Sequence, residues 1–291
     1  MLINLADISI MERQHWLQHA VAPRPIALAS TIDAAGNVNL SPFSFFNLFS
    51  FEPPIVIFSP SRRVRDNTTK HTLQNVLEVP EVVINICDSN MVQQLSLASC
   101  EFPKGINEYE KAGFTMQASH TITPPMVKEA KIKLECIVDE VKPLGTNGGA
   151  GNLVICKVML LHVDDGILNE TNTMIDQQKM HHVARLGGDW YTAVSATNLF
   201  KINKPSIQIA IGIDGLPDSI RSSKVLTGND LAMLANVTAI PIKNASFIDH
   251  RLELFQQQHN NQESQANIHY YVKELLLENK LEQAWQILLN T

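Results

Sequence analysis

The apolar positions of this chain follow two patterns. Through the first two-thirds they come in short β-rich runs cut by turns, and near the C-terminus they recur at helical spacing. Residues 26–31 (IALAST) form the first run. The turn-forming residues 33–37 (DAAGN) lead back into 38–44, so the pair predicts a hairpin. Pro53-Pro54 opens 55–59 (IVIFS), and 82–87 (VVINIC) is a further run of β-branched residues. Residues 132–141 and 153–163 are longer β-rich runs. Helices are expected over 68–77, with Thr68 or Thr69 as cap, and over 91–98, with Asp88 or Ser89 as cap. The glycine-dense stretch 143–151 leads into a strand rather than a helix. That makes it a flexible hairpin link and not a phosphate-cradling loop. Many strands, short turns and no regular strand–helix alternation favour an antiparallel barrel over a doubly wound sheet.

Near Ser195 the character changes. Ile207, Ile209, Ile211 and Ile213 alternate, predicting one more strand that ends in the turn 214–217. Residues 256–267 are polar and read as a connection. Beyond them, Ile268, Tyr271, Val272 and Leu275, then Leu281, Ala284, Trp285 and Leu288, follow i, i+3, i+4, i+7 spacing. Two amphipathic helices, or one with a break, are expected. The pair is faintly similar to half a tetratricopeptide repeat, although such a pair more often docks on its own domain or on a dimer partner. The chain thus divides into residues 1–195, one domain, and 196–291, a strand plus a helical C-terminal extension.

Composition narrows the class. An apolar fraction of 45% with 18% charged residues is that of a globular protein. No run approaches the ~18–20 apolar residues that span a bilayer, and the first residues lack the basic start of a secretory signal. Cys87, Cys100, Cys136 and Cys156 are widely spaced, so reduced thiols and a cytoplasmic location are expected. With a net charge of −6 and no extended basic stripe, nucleic acid is not expected as a partner, nor is a membrane.

Against that acidic background, residues 59–75 (SPSRRVRDNTTKHTLQN) stand out. Arg62, Arg63, Arg65 and Lys70 lie among five short hydroxyls, with Asp66 as the single acid in the segment. Guanidinium forks, an ammonium and hydroxyls suit a phosphate monoester, although a solvated basic loop has the same composition. His162, His181 and His182 do not make a metal site: the last two are adjacent and diverge on any regular element, and no cysteine stands at ligand spacing. Cys100 and Cys136 have no local basic partner that would mark a reactive thiolate. Phe43, Phe45, Phe46, Phe49 and Phe51, on residues alone, read as barrel core.

A wider order of motifs then emerges. It runs from Ala22-Pro23-Arg24-Pro25-Ile26-Ala27 through Asn39-Leu40-Ser41-Pro42-Phe43-Ser44-Phe45-Phe46, Glu52-Pro53-Pro54 and Lys70-His71-Thr72-Leu73-Gln74-Asn75. It continues with Glu108-Tyr109-Glu110-Lys111-Ala112-Gly113-Phe114 and Leu134-Glu135-Cys136, and closes on Arg185-Leu186-Gly187-Gly188-Asp189-Trp190-Tyr191. Over roughly residues 20–195 this resembles the flavin reductase-like family with an FMN-binding split barrel, the group that includes flavoredoxin. The resemblance implies a mainly β (α+β) fold: a six-stranded antiparallel Greek-key split barrel with flanking helices, usually a homodimer, holding FMN non-covalently near the dimer interface. Arg24, Pro25 and Ile26, and Asn39, Ser41, Pro42, Phe43 and Ser44, resemble segments lining the flavin ring and ribityl chain. Arg65, Lys70, Thr72 and Asn75, with Ser59 at the head of the same segment, resemble the loop that anchors the phosphate. Arg185 either approaches the flavin from a later turn or serves that turn itself.

The implied activity is NAD(P)H-dependent flavin reduction, with electrons passed to an acceptor. The alternative is an FMN-binding electron carrier or module without its own nicotinamide site. In a third arrangement the C-terminal helices dock a partner enzyme. A flavin carries the redox chemistry itself, so no catalytic acid or base is nominated. This chain has Lys70-His71-Thr72 where the family commonly has Lys-Asp-Thr. His71 either strengthens anion attraction at lower pH or faces solvent.

Overall fold

The structure, a computed structural model, describes residues 1–202, 209–257 and 261–291. It divides into two compact units, Met1–Phe200 and Lys201–Thr291.

The first unit opens with the helix α1, Ile10–Ala20, capped by Ser9 and Glu12 in a reciprocal capping box. The strands β1 (Arg24–Pro25), β2 (Ala27–Ile32), β3 (Val38–Phe43), β4 (Phe46–Phe51) and β5 (Pro54–Phe58) follow in quick succession. Then come α2 (His71–Glu78), β6 (Glu81–Ile86), α3 (Val92–Ala98), α4 (Glu108–Ala112) and the short ribbon β7 (Met116–Gln117) with β8 (Met126–Val127). The long hairpin β9 (Ile132–Pro143) and β10 (Asn152–Val163) precedes α5 (Gln177–Met180), β11 (Val183–Arg185) and β12 (Tyr191–Ala193).

One antiparallel sheet organises this unit, in the order β3-β2-β6-β9-β10-β5-β4. It has seven strands rather than the expected six, and it is not closed. The extra strand comes from the aromatic stretch after Phe43, where the chain breaks at Ser44-Phe45 and starts β4. β3 and β4 are therefore consecutive in sequence yet form opposite edges of the sheet. Two intervening residues span at most ~10 Å between strand ends, so the sheet must curl until its edges nearly meet. Ring contact between Phe43 of β3 and Phe58 of β5 (centroids 5.3 Å apart) bridges that slit, and the Ser59 N–H donating to Phe45 O at 2.8 Å extends the β4–β5 pairing up to the break.

Packing explains the burial of β2 on both faces. Ala27 and Ala29 face an interior with Val56, Phe58, Val82, Ile84, Val154 and the α2 residues Leu73 and Val76. Leu28 faces the opposite layer, with Met91, Leu95 and Tyr109 from the α3–α4 region. The aromatic run divides. Phe43 is buried, whereas Phe45, Phe49 and Phe51 are exposed, which corrects the reading of all five as core. β4 is an edge strand, so only part of its length meets the interior.

α2 begins at His71 with Lys70 as its N-cap and no side-chain cap, not at Thr68 or Thr69. Those hydroxyls serve the preceding loop: Thr68 bonds Asp66 and Arg63, and Thr69 accepts from Gln74. Asp88 caps a single 3-10 turn ahead of α3, and residues 144–151 form the β9–β10 hairpin link.

The second unit is helical: α6 (Asp218–Arg221), α7 (Gly228–Ala235), α8 (His250–Gln256), α9 (Asn261–Leu277) and α10 (Leu281–Leu289). Ile268, Tyr271, Val272 and Leu275 of α9 pack with Ala284, Trp285 and Leu288 of α10 in one core, matching the helical spacing. Residues 261–267, expected as connection, are the first turns of α9. No strand forms over 209–213. Ile209 is exposed and Ile213 starts a 3-10 turn, while Ile207 lies outside the described residues.

Candidate functional site

A cleft of ≈1040 Å³ opens along the slit of the barrel. Its floor is the β3–β4 break, with Pro42, Phe43, Ser44 and Phe45. One wall is the loop after β5, from Ser59 and Ser61 to Arg65 and Lys70, with Glu101 beside it. A second wall is the glycine-rich link 145–150, and a third is α1, through Ile10, Arg13, Gln14, Leu17 and Gln18. The apolar floor and the polar, cationic wall are thus brought together by a single topological accident of the sheet.

The glycine-rich link earns its composition through close packing. Arg62 N–H donates to Ala150 O (2.8 Å) and Gly149 N–H to Arg62 O (2.9 Å), so the two loops pair backbone to backbone. A Cβ at Gly148 would lie 3.0 Å from Arg63 O, and one at Gly151 would lie 2.7 Å from Ser59 Oγ. The link is a hairpin connection, as its sequence predicts. Sequence reasoning did not foresee that it lines the cleft.

The loop cations fall into two groups. Arg62 is spent on the loop's own frame, donating to Asn67 Oδ1 (2.7 Å) and Asn67 O (2.6 Å). Arg63 is nearly so, donating to Thr68 Oγ1 (2.9 Å), Thr69 O (2.7 Å) and Glu101 Oε1 (2.8 Å). Arg65 is 73% exposed and reaches Asp66 and Glu101, both at 3.1 Å. Lys70 lies 3.9 Å from Glu101. Burial, partly countered by Glu101 and reinforced by Arg63, lowers the Lys70 pKa. Glu101 was invisible in the sequence. It lies some thirty residues beyond the loop it neutralises, on the chain leaving α3. Hydrogen bonding from Arg63, with the nearby cations, holds its carboxyl below the usual range. His71 is half-buried, and burial together with Arg63, Lys104 and Lys70 lowers its pKa, which favours the neutral ring. It is therefore not a fully solvent-facing group.

Half of the expected site residues line the cleft: Arg24, Pro42, Phe43, Ser44, Ser59, Arg65 and Lys70. Arg24 is buried and donates to Gln18 O and Val21 O (both 2.6 Å), Leu186 O (2.8 Å) and Ser44 Oγ (3.4 Å). It thereby pins the end of α1 and the β11–β12 turn to the slit. Burial, and then Arg185, lower its pKa.

The other half do not line the cleft. Thr72 Oγ1 donates to Asn39 Oδ1 (2.7 Å), and Asn39 Nδ2 donates to Glu108 Oε1 (2.9 Å). Glu108 Oε2 also accepts the Leu40 N–H of edge strand β3 (3.0 Å). Asn75 Nδ2 donates to Thr31 Oγ1 (3.2 Å). These buried bonds hold the start of α2 against β2 and β3. Pro25 sits in β1, Ile26 in the core and Ser41 within β3. Arg185 bonds the Tyr191 hydroxyl and Gly188 O, its guanidinium over the Tyr191 ring.

Other polar groups lie away from the cleft. His162 contacts buried Glu135 (2.7 Å), and Cys136 and Cys156 are buried thiols whose pKa values burial raises. No helix among the described residues is long and apolar enough to cross a membrane.

Comparison with known proteins places this geometry in context. Residues 19–184 match the family described as flavin reductase like domain. Uncharacterised protein BH2278 of Halalkalibacterium halodurans is 35% identical over 209 residues, which is 71% of this chain and 98% of that protein. Among solved structures, nitrilotriacetate monooxygenase component B from Bacillus cereus is 27% identical with a TM-score of 0.65, covering 69% of this chain and 98% of that one. A protein of Shewanella frigidimarina, described as a flavin reductase with a split barrel domain, is 25% identical with a TM-score of 0.59 over 69% and 96% of the two chains. Arg185 and the helical unit lie beyond the family match.

Proposed function

The chain belongs to the flavin reductase-like family, and from that premise we propose that it is an FMN-binding oxidoreductase, an NAD(P)H-dependent flavin reductase. The observation that carries this reading is the cleft itself, where an apolar floor at the barrel slit meets a wall bearing Arg65, Lys70, Ser59 and Ser61. A phosphate monoester carries about −1.5 to −2 charges and three strong acceptor oxygens, which this wall matches in charge and in hydrogen-bond donors. The cleft volume is at the upper end of the ~300–1,000 Å³ usual for small-molecule sites, which suits a flavin together with a second ring.

FMN, when bound, supplies the capacity to accept hydride from a reduced nicotinamide and to pass electrons onward. The protein binds, orients and shields. Lys70 and Arg65 would hold the phosphate, with the Ser59 and Ser61 hydroxyls as neutral donors. Pro42, Phe43 and Phe45 would receive the flat apolar face, and Ile10 and Leu17 of α1 would limit water on the opposite side. Arg24 keeps α1 in that position. No side chain is assigned a proton to transfer. The exposed Phe49 and Phe51 on edge strand β4 support pairing of two copies as a homodimer.

The experiment is a visible spectrum and an FMN fluorescence titration, followed by NADH and NADPH oxidation with FMN present. Saturable FMN binding with enzymatic turnover is expected. FMN binding with neither nucleotide oxidised would make the protein an electron carrier. Absence of flavin binding would remove the reading altogether.

A further inference from the structure

Glu101 pairs with the same loop cations that the reading above assigns to the flavin phosphate. Its Oε1 lies 2.8 Å from Arg63 Nε and 3.9 Å from Lys70 Nζ, and its Oε2 lies 3.1 Å from Arg65 Nη2. Arg62 and most of Arg63 are committed to loop oxygens. Arg65 and Lys70 are the loop cations able to turn to a ligand, and both already face this carboxylate. The Glu101 side chain is 42% exposed and its partner Arg65 73%, so that pair exchanges with water at small cost, while Arg63, only 16% exposed, keeps its bonds to Thr68 and Thr69 when the carboxylate leaves.

We propose that Glu101 is a tethered counter-anion that exchanges with the phosphate of FMN, so that the flavin is bound reversibly and traded with solution instead of being held. This rests on the phosphate-loop reading above. Riboflavin brings no anion and leaves the Glu101 pairs intact. FMN brings a dianion, which outcompetes a single carboxylate for charge-assisted bonds. On release the carboxylate returns at once, because it is attached to the site. The competition lowers FMN affinity and speeds dissociation without altering how the ring is received.

The test is Glu101→Gln, which keeps shape and removes charge, with FMN and riboflavin affinities measured by fluorescence quenching and FMN release by stopped flow. FMN affinity should rise about five- to tenfold through slower release, with riboflavin unchanged. Unaltered FMN affinity overturns the proposal. Weakened affinity also overturns it, and makes Glu101 a brace for Arg63 and Lys70. A different failure is visible in the wild type alone. Equal affinity for FMN and riboflavin there would sink the phosphate-loop reading, and the exchange would fall with it.

Discussion

The rim of the cleft and the buried layer on the outer side of the sheet both hold carboxylates among several donors, yet they use them in opposite ways. At the rim, Glu101 is shared among Arg63, Arg65 and Lys70, partly in water, with one contact as long as 3.9 Å. In the buried layer, Glu135 is fully buried. It accepts from His120 N–H and Thr121 N–H (both 2.7 Å) and from Thr121 Oγ1 (2.5 Å), with His162 Nε2 at 2.7 Å. Glu108 is likewise bonded on both oxygens. Rim charges can change partners at little cost, because water replaces whatever leaves. Interior charges cannot, because a lost partner leaves a desolvated group. Binding chemistry therefore belongs to the rim, and position belongs to the interior.

The largest expected effect probes the interior. Burial alone would raise the Glu135 pKa, but the four bonds outweigh it and bring the value to about 2, against 4.5 for an ordinary glutamate. A lowered folded-state pKa gives stability that is present above the ordinary value and is lost as pH falls through it toward 2. The shift corresponds to about 3 kcal/mol. In denaturant unfolding, the stability gap between wild type and Glu135→Gln should shrink by most of that amount from pH 6 to pH 2.5. A gap independent of pH would show that these bonds do not favour the charged form. The next effect probes the rim. Arg65→Ala with Lys70→Ala should weaken FMN by roughly 30- to 100-fold and leave riboflavin affinity and thermal stability nearly unchanged. Equal losses for both flavins would deny the loop its phosphate.

The same division explains how far the sequence could be read. Strands such as β2 and β10 announce themselves through β-branched runs, and α9 and α10 through helical spacing, because both patterns are local. The basic loop was equally plain, since its cations are neighbours in the chain. What escaped depended on contacts between distant segments. Glu101 meets Arg63 only after α3 has been placed, and α1, an exposed helix with no buried residue, becomes a wall only through Arg24. The seventh strand hid within a continuous aromatic stretch, where only the return of the chain to the far sheet edge distinguishes β4 from an extension of β3. Within the motif Lys70-His71-Thr72-Leu73-Gln74-Asn75, helix periodicity sends Lys70 to the cleft and Thr72 and Asn75 inward. Spacing alone could not say which face held the ligand.

Thr72 gives the smallest effect and the sharpest division. Its side chain is buried at 1% exposure, does not line the cleft, and donates to Asn39 Oδ1. Thr72→Val keeps the shape and removes that donor, leaving a buried amide oxygen unpaired, at a cost of about 1–2 kcal/mol. The melting temperature should fall by a few degrees while the ratio of FMN to riboflavin affinity stays fixed, since Lys70 and Arg65 are untouched. If that ratio collapsed with stability unchanged, the Thr72 hydroxyl would have to reach the ligand in the bound state. The start of α2 would then belong to the exchangeable rim rather than to the fixed interior.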